Sequence, residues 1–358
     1  MNRNRNHILA ALAATALLLA AGCFWQYRTG EKLSLNGKTS FESPVSNEQT
    51  CTKQLFAMDT YMSFTAYGSN CEAAVDAAMD EVKRLDALLS TGSEDSEVSR
   101  INAAGGGSVS NDTAAILSEA NKIYESTGGL FDYTIYPLMR LWGFSTKTYH
   151  VPSEAELADA LALVDASRVQ FDEKTLALAE GQQIDFGGIA KGYTSNRVME
   201  IYREHGITSG LVSLGGNVQT LNQKPDGTNW NIGIQDPKNS QGSTIAVVSV
   251  NNKAVVTSGG YERYFEEDGK TYIHILDPRT GYPADQDLIS VSIISENGTL
   301  ADALSTSLYI MGKEDAITYW KNRDEDFDMI LVTEEGALYI TPGIKDDFRT
   351  QEEVHVIV

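Results

Sequence analysis

Apolar residues recur at intervals of three and four positions in several stretches of the chain, which is the spacing of one face of an α-helix. The clearest case is residues 71–89, where the apolar positions predict an amphipathic helix. Four more helices are expected: one capped by Asp112 that runs to Ser126 and ends at Gly128-Gly129, one that starts after the cap Ser153, one from Gly192 to about His205 that ends at Gly206, and one from Asp302 to Met311.

Strand patterns dominate the second half of the sequence. Leu55–Tyr67 alternates and is expected to form one strand, whereas Gly105-Gly106-Gly107 is interpreted as a loop tip. Further strands are expected at 211–213, 218–221, 230–235, 244–250, 254–257, 271–276, 289–294, 328–333 and 336–341. Consecutive short strands favour a mixed α/β (α+β) fold with largely antiparallel sheets and packed helices over a doubly wound parallel fold.

The N-terminal segment has the pattern of an export signal. Arg3 and Arg5 precede an apolar run that is shorter than the roughly 20 residues a membrane-spanning helix needs, so residues 1–22 are expected to be a signal peptide. Cys23 follows small residues that resemble a lipobox, which predicts lipidation; ordinary signal cleavage with an unmodified Cys23 is the alternative. Residues 23–51 are polar and are expected to be a tether, and 52–358 the folded body.

Charge and cysteine content narrow the function classes. The formal net charge is −21, and loss of Arg3 and Arg5 with the signal would make it −23. A chain this acidic without a basic stripe is not expected to bind nucleic acid. Cys51 and Cys71 are compatible with a disulfide or with two free thiols, and no CxxC or His-rich tract indicates zinc.

The segment Asp185 to Gly192, Asp-Phe-Gly-Gly-Ile-Ala-Lys-Gly, is the strongest candidate for chemistry. Gly187 and Gly188 permit a close backbone approach, the helix that follows presents unpaired amides, and Lys191 adds a positive charge. These features suit a diphosphate. Taken alone, the segment fits a tight structural turn with a solvated lysine equally well.

Further motifs follow in a fixed order and carry a family resemblance. Met58-Asp59-Thr60 comes first, and the later motifs are residues 128–134, 137–138, 185–192, 213–217, 258–263, 274–281 and 301–306. This series resembles the ApbE family of FAD:protein FMN transferases over about residues 55 to 345. The resemblance implies an ApbE-type, T-fold-like flavin transferase architecture and makes residues 52–358 the catalytic domain.

The resemblance implies that FAD is cleaved between its phosphates and that FMN passes to a Ser or Thr hydroxyl, with release of AMP. It places Mg²⁺ on Asp302, Thr306 and the backbone carbonyl of Gly188, with Ser305 as a neighbouring contributor. Asp302 and Thr306 lie four apart on a predicted helix, so both oxygens share one face. Without the resemblance, a helix acid and a satisfied hydroxyl would be the simpler interpretation.

Other roles also come from the resemblance. His274 is expected to be catalytic, together with Asp302, by accepting the proton of the acceptor hydroxyl. Lys191 is expected to contact phosphate and Leu276 to contact FAD through its backbone. The full set of expected FAD-binding residues is Met58, Leu130, Phe131, Asp132, Asp185, Lys191 and Leu276.

One position departs from the family pattern, because Gly92 stands where many members carry a tyrosine that packs on the flavin. Tyr61 and Tyr261 are the candidates to replace it. The expected partners are FAD, an exported or membrane redox protein that accepts FMN, and the outer face of the bacterial cell membrane through the lipid anchor. Two other functions stay open: an FAD pyrophosphatase that gives free FMN and AMP, and a noncatalytic flavin-binding lipoprotein.

Overall fold

The computed structural model describes residues 49–239 and 242–358. The predicted signal peptide, the predicted lipidation at Cys23 and residues 23–48 of the predicted tether lie outside the described residues. The end of the predicted tether is described, and there Thr50 and Cys51 belong to the strand Thr50–Ala57. The helices are α1 (Cys71–Leu89), α2 (Glu97–Ala104), α3 (Asn111–Ser126), α4 (Tyr136–Leu141), α5 (Glu154–Leu161), α6 (Ala190–Glu204), α7 (Gly298–Met311) and α8 (Lys313–Asn322), with 3₁₀ turns at Ala166–Arg168 and Pro342–Ile344. None of the helices in these residues has the length and apolar composition needed to cross a bilayer.

The strands are short and concentrated after residue 200. They are β1 (Thr50–Ala57), β2 (Thr60–Tyr67), β3 (Gly106–Ser108), β4 (Gln170–Asp172), β5 (Thr175–Ala177), β6 (Ser209–Leu214), β7 (Asn217–Leu221), β8 (Trp230–Gln235), β9 (Thr244–Val250), β10 (Ala254–Gly259), β11 (Tyr264–Glu267), β12 (Lys270–Ile273), β13 (Leu288–Ser295), β14 (Asp328–Thr333), β15 (Leu338–Ile340), β16 (Phe348–Thr350) and β17 (Val354–Val356).

A nine-stranded sheet forms the centre of the fold, in the order β1-β2-β6-β7-β10-β13-β14-β15-β17. Its pairings are antiparallel up to β15, and β15 pairs with β17 in parallel. Three smaller sheets accompany it, of which β16-β9-β8 is the one that packs on it. The expectation of a mixed α/β fold with largely antiparallel sheets is confirmed.

The two faces of the main sheet are covered by different layers. Helices α1 and α6 pack on β2 and β6, and α7 packs on β10 and β13. The β16-β9-β8 sheet covers part of the opposite face. Along β10 the side chains alternate between layers, since Val255 packs with the second sheet while Ala254 and Val256 pack in the α7 core. Burial on both faces explains why the central strands read as continuous apolar runs.

Helices α6 and α7 cross at two glycines. A Cβ on Gly192 would lie 2.1 Å from the carbonyl oxygen of Gly298, and a Cβ on Gly298 would lie 2.9 Å from that of Gly192. Side-chain amides close the crossing, because Asn196 Oδ1 accepts from the Gly298 amide at 2.9 Å and Asn196 Nδ2 donates to Asn297 Oδ1 at 2.8 Å. The first turns of both helices are therefore fixed relative to each other.

Several predicted boundaries are confirmed. Helix α1 has the predicted limits. Ser153 caps α5, where it forms a capping box with Glu156. Helix α6 ends next to Gly206, whose φ is +74°. Strands β8, β9 and β14 match the predicted ranges.

The expected single strand Leu55–Tyr67 is wrong, because β1 and β2 form a hairpin in this region. Met58 and Asp59 make the turn with φ of +47° and +59°. Positive φ at both central positions is the signature of a tight type I′ turn, which usually contains Asn or Gly. Met-Asp gives no such signal, and the alternation of side chains continues through it.

Three further expectations need correction. Ser110, not Asp112, caps α3, since its hydroxyl accepts from the Thr113 amide at 3.3 Å. The glycine run is not a loop tip, because Gly105 ends α2 and Gly106 starts β3, which pairs with the distant β5. The expected strand 271–276 is shortened to β12 and pairs with β11 across Asp268-Gly269, a hairpin that the sequence analysis missed.

We predict that Gly192→Ala destabilises the protein, because the new Cβ would overlap the backbone of α7. Overpacking of this kind costs about 1–3 kcal/mol, which should lower Tm by about 2–5 °C in a folded body of this size. Differential scanning calorimetry measures the shift. Gly92→Ala is the matched control, since its Cβ would meet only Ser90 Oγ at 3.6 Å. An equal Tm for both variants would contradict the tight crossing.

Candidate active site

The segment before α6 is held in place by backbone and amide contacts. The Asp185 amide donates to the carbonyl of Tyr133 at 2.8 Å, and Asp185 Oδ1 accepts from the Gly187 amide at 2.6 Å. Asn102 on α2 clamps Ile184, because it accepts from its amide at 2.7 Å and donates to its carbonyl at 2.9 Å. Burial raises the pKa of Asp185, while the positive charge of Arg263 opposes the shift. The glycine pair therefore has a defined position at the start of α6.

The three oxygen donors expected to bind a metal meet at the α6–α7 crossing. Asp302 is buried, and its Oδ2 accepts from the Gly192 amide at 2.8 Å. This amide would otherwise bond to the carbonyl of Gly188, four residues earlier, which accepts no hydrogen bond from the described chain. Thr306 Oγ1 lies 3.8 Å from the position of a Cβ on Gly188. A carboxylate, a hydroxyl and a free carbonyl thus converge here.

Ser305 lies beside this set with its hydroxyl engaged inside the protein. Its Oγ donates to the carbonyl of Asp302 at 2.8 Å and lies 2.7 Å from Ser258 Oγ. Ser258 Oγ also lies 3.4 Å from Thr306 Oγ1. These contacts orient the helix turn that carries Asp302 and Thr306. Direct contact of Ser305 with a metal stays a prediction.

His274 follows β12 and faces Arg263 across the hairpin. Its backbone amide and its Nδ1 both lie within hydrogen-bond distance of the Arg263 carbonyl, at 3.0 and 3.1 Å. Because a carbonyl can only accept, Nδ1 carries the proton and Nε2 keeps its lone pair. Burial, together with the charges of Arg263 and Lys191, lowers the pKa of His274 to about 3. The imidazole is therefore neutral at physiological pH.

Two cations in this cleft lack an ion pair. Within residues 49–239 and 242–358, neither Lys191 nor Arg263 forms a salt bridge. Both act on the pKa of Glu262, which desolvation raises and their positive charge lowers. Asp302 raises the same pKa, so its carboxylate belongs to the same electrostatic neighbourhood. In a chain with net charge −21, unpaired cations beside a neutral histidine form a site for an anion.

The residues expected to line the flavin are distributed around this cleft. Leu130 and Phe131 are buried, and the Phe131 ring comes within 3.3 Å of a Cβ position on Gly188. Met58 is half-buried, with its sulfur 3.8 Å from Thr194 Oγ1. The backbone groups of Leu276 form no hydrogen bond within the described chain, although its neighbours Ile275 and Asp277 do. The backbone groups of Leu276 are therefore free to form a hydrogen bond to a ligand.

Asp132 has a structural function in this arrangement. Its Oδ1 accepts from the amide and hydroxyl of Thr134, at 2.7 and 2.6 Å, and its Oδ2 accepts from the Ala166 amide at 3.0 Å. Burial raises its pKa, and these hydrogen bonds oppose the increase. Both oxygens hold the loop that carries Leu130 and Phe131. A contact of Asp132 with flavin stays a prediction.

The three positions considered for an aromatic ring over the flavin have different surroundings. Gly92 lies in the loop after α1, where its amide bonds to Ser90 Oγ at 3.1 Å. Tyr261 packs against Gly259, whose Cβ position lies 2.3 Å from the tyrosine ring. Tyr61 is 70% exposed on β2.

Sequence reasoning assigned no role to Ser258, Glu262 or Arg263, although their motif belongs to the ordered series. The signal that could have revealed them is Asp268-Gly269, a strong hairpin dipeptide. This hairpin pairs Tyr264 with Ile273 and so brings Arg263 opposite His274. Among the residues that the structure describes, no three His, Cys, Asp or Glu side chains form a metal cluster. Cys51 and Cys71 are free thiols in the structure.

Comparisons with known proteins identify the family to which this chain is similar. The family model described as "ApbE family" matches residues 58–331. The chain is 36% identical over 271 residues to an FAD:protein FMN transferase of Klebsiella pneumoniae, covering 74% of this chain and 84% of that protein. It is 33% identical to the protein of the same name in Treponema pallidum, covering 81% and 86%.

Solved structures give the same result. The ApbE protein of Thermotoga maritima superposes with a TM-score of 0.79 at 34% identity, covering 84% of this chain and all of that one. The flavin transferase ApbE from Vibrio cholerae superposes with a TM-score of 0.75 at 26% identity, covering 84% and 99%. The matched region contains every residue of the candidate site, and the chain belongs to the ApbE family.

Proposed function

We propose that this chain is an FAD:protein FMN transferase. In the proposed reaction FAD is cleaved between its two phosphates, FMN is joined to a Ser or Thr hydroxyl of an acceptor protein, and AMP is released. The names of the relatives support this activity. The observation that carries the proposal is the convergence of three oxygen donors at the α6–α7 crossing, with the neutral imidazole of His274 and the charges of Lys191 and Arg263 in the same electrostatic neighbourhood.

The oxygen donors fit a magnesium ion. Mg²⁺ prefers hard oxygen ligands and usually takes only one or two carboxylates from the protein. Asp302 offers Oδ1, which takes no hydrogen bond from the described chain, and Gly188 offers a free carbonyl. Thr306 adds a hydroxyl on the same side of α7. When bound, the ion would neutralise charge on the diphosphate of FAD.

His274 is suited to act as the general base. The acceptor hydroxyl attacks the phosphorus of the FMN moiety, its proton passes to His274 Nε2, and the bond from that phosphorus to the bridging oxygen breaks. The bridging oxygen leaves as a phosphate oxygen of AMP. The hydrogen bond from Nδ1 to Arg263 keeps the ring in the tautomer that this step requires.

Lys191 and Arg263 are suited to hold the diphosphate. Neither side chain forms a salt bridge within the described chain, and phosphoryl transfer depends mainly on positioning and on charge stabilisation. Lys191 lies in the first turn of α6, next to the glycine pair. Arg263 lies at the base of the β11–β12 hairpin, on the side of His274.

The proposed location is outside the cytoplasm. Residues 1–22 would direct export, and a lipid on Cys23 would anchor the chain to the outer face of the cell membrane. The tether would let the catalytic body reach exported or membrane redox proteins that accept FMN.

The direct test uses purified protein lacking the signal peptide, FAD, Mg²⁺ and an exported FMN-binding domain as acceptor. Intact mass spectrometry should show one added FMN phosphoester, AMP should be released, and EDTA should abolish both. Free FMN and AMP without labelled acceptor would indicate a pyrophosphatase. Unchanged FAD retained on the protein would indicate a flavin-binding lipoprotein.

We predict that Asp302→Asn lowers the transfer rate by at least about 100-fold, because an amide can still accept from Gly192 but is a poor Mg²⁺ ligand. Isothermal titration with Mg²⁺ should show weaker binding, while Tm changes little. Asp346→Asn, at an exposed position far from α7 in sequence, is the control. A wild-type rate and Mg²⁺ affinity in Asp302→Asn would exclude the assigned metal site.

We predict that His274 stays neutral in the FAD-free enzyme from pH 8 down to pH 5, because its pKa lies near 3. Since the folded-state pKa is below the ordinary value, protonation favours the unfolded chain, and stability from this group falls as pH decreases below about 6.5. NMR of the His274 Cε1–H signal, assigned with His274→Gln, measures the titration. A midpoint between pH 6 and 7 would contradict the buried, neutral base.

We predict that Arg263→Gln lowers kcat by about 10²- to 10³-fold, since it removes a positive charge from the reacting phosphates but keeps the carbonyl that orients His274. Arg349→Gln, exposed on β16, should leave kcat unchanged. Steady-state kinetics with varied FAD concentration gives kcat and the KM for FAD. If kcat survives in Arg263→Gln, the cation has no role in the chemical step.

A further inference from the structure

Two large aromatic side chains stand exposed at the closed end of the β1–β2 hairpin. Phe56 is 58% exposed and Tyr61 is 70% exposed, and their rings meet edge to face with centroids 5.0 Å apart. They are a directly opposed pair in the hairpin register. Contact between the two rings leaves most of both surfaces open to solvent, which is unfavourable for apolar groups unless a partner covers them.

The pair lies on the side of the hairpin that faces away from α1. Lys53 on the same strand forms ion pairs with Glu72 and Asp76 of α1, at 3.5 and 2.6 Å, and Leu55 packs in the α1 core. Phe56 follows Leu55, so its side chain points to the other face. The pair is therefore not part of the core.

A chain of contacts links this pair to the catalytic histidine. The turn between the two aromatics contains Asp59, which forms an ion pair with Lys147 at 2.8 Å. Two residues beyond Lys147, Tyr149 is 39% exposed and packs edge to face on Phe144, with centroids 5.6 Å apart. Phe144 in turn meets the His274 ring with centroids 6.4 Å apart.

A fourth exposed aromatic lies on the hairpin that carries Arg263. Tyr264 is 51% exposed, and its neighbour Phe265 stacks on Tyr149 with centroids 5.2 Å apart. Adjacent residues of a strand point to opposite faces, so Tyr264 lies on the face of its hairpin away from Tyr149. We call Phe56, Tyr61 and Tyr149 the aromatic rim. Two separate segments supply it, and the Asp59–Lys147 ion pair joins them.

We propose that the aromatic rim docks the acceptor protein and directs its hydroxyl toward His274. This inference rests on the proposed function. The acceptor is the substrate that must reach Nε2 from solvent, and exposed aromatic side chains are the residues that most often anchor protein partners. Within the rim, Tyr149 is the residue that connects to His274, through Phe144.

The flavin is a less suitable occupant of the Phe56–Tyr61 pair. In the same turn, Met58 packs against buried residues of the core and lies 3.8 Å from Thr194, so the inward side chain of the hairpin is already the one near the FAD cleft. The Met58 sulfur thus points inward, whereas the rings of Phe56 and Tyr61 point outward. One hairpin would contact both substrates, with different residues.

A membrane surface is also a less suitable occupant. The segment that carries the predicted anchor enters the fold at the start of β1, and Phe56 lies six residues later in the strand. At about 3.3 Å per residue, this distance is about 20 Å along the strand. The rim therefore lies at the opposite end of the hairpin from the anchored segment.

The experiment compares wild-type protein with the variant Phe56→Ala, which leaves the candidate flavin-covering residue Tyr61 in place. At saturating FAD and Mg²⁺, the KM for a purified exported FMN-binding domain should increase about tenfold or more, while kcat and the Kd for FAD change less than twofold. Gln54→Ala, exposed on the same face of β1, is the matched control and should be unchanged. Tyr149→Ala tests the segment that carries Lys147 and Tyr149, and it should also raise the KM for the acceptor domain.

The outcomes separate the inference from the function on which it rests. Wild-type protein that labels no acceptor would overturn both. Active wild-type protein with an unchanged acceptor KM in Phe56→Ala would overturn the docking surface alone. A weaker Kd for FAD with an unchanged acceptor KM would assign the rim to flavin. Rim-dependent sedimentation with anionic phospholipid vesicles would assign it to the membrane.

Discussion

The hydrogen bond from the Gly192 amide to Asp302 Oδ2 is the contact on which the rest of the site depends. It requires α6 and α7 to approach so closely that neither Gly192 nor Gly298 tolerates a side chain. It also diverts the Gly192 amide from its helical acceptor and so leaves the Gly188 carbonyl free. One backbone donor therefore orients the carboxylate and exposes a second oxygen. The asparagine and serine hydrogen bonds around the crossing stabilise this geometry in the low-dielectric interior, where an unpaired donor would be costly.

Local pattern and short-range chemistry decided which parts of the fold could be predicted. The apolar spacing of α1 and the capping box at Ser153 are local signals, and both agree with the structure. The β1–β2 turn could not be predicted, because Met58 adopts a positive φ that its own chemistry disfavours and that the surrounding contacts impose. Gly106 is similar, since its strand conformation depends on a partner about 70 residues away.

The same distinction between local signals and long-range contacts applies to the candidate site. Asp302 and Thr306 share a helix face, so their proximity follows from a spacing of four. The free carbonyl of Gly188 depends on a contact 110 residues distant, which no spacing reveals. The family resemblance implied this carbonyl as a metal ligand but gave no physical reason why it should be free. The reason is that the Gly192 amide donates to Asp302 instead. The position of Arg263 follows only from the register of the β11–β12 hairpin. This register places the Arg263 carbonyl within hydrogen-bond distance of the backbone amide and Nδ1 of His274, which both donate to it.

Electrostatics then connects substrate binding to the base. A histidine with a pKa near 3 is a weak proton acceptor, and the causes are burial together with the charges of Arg263 and Lys191. A diphosphate bound to these cations would neutralise the positive field around the imidazole, so the proton affinity of His274 would increase when FAD enters. The imidazolium that forms during transfer would lie beside phosphate oxygens rather than beside uncompensated cations. The free enzyme thus holds a neutral but weakly basic histidine, and in the proposed reaction the substrate that needs the base would also be the group that strengthens it.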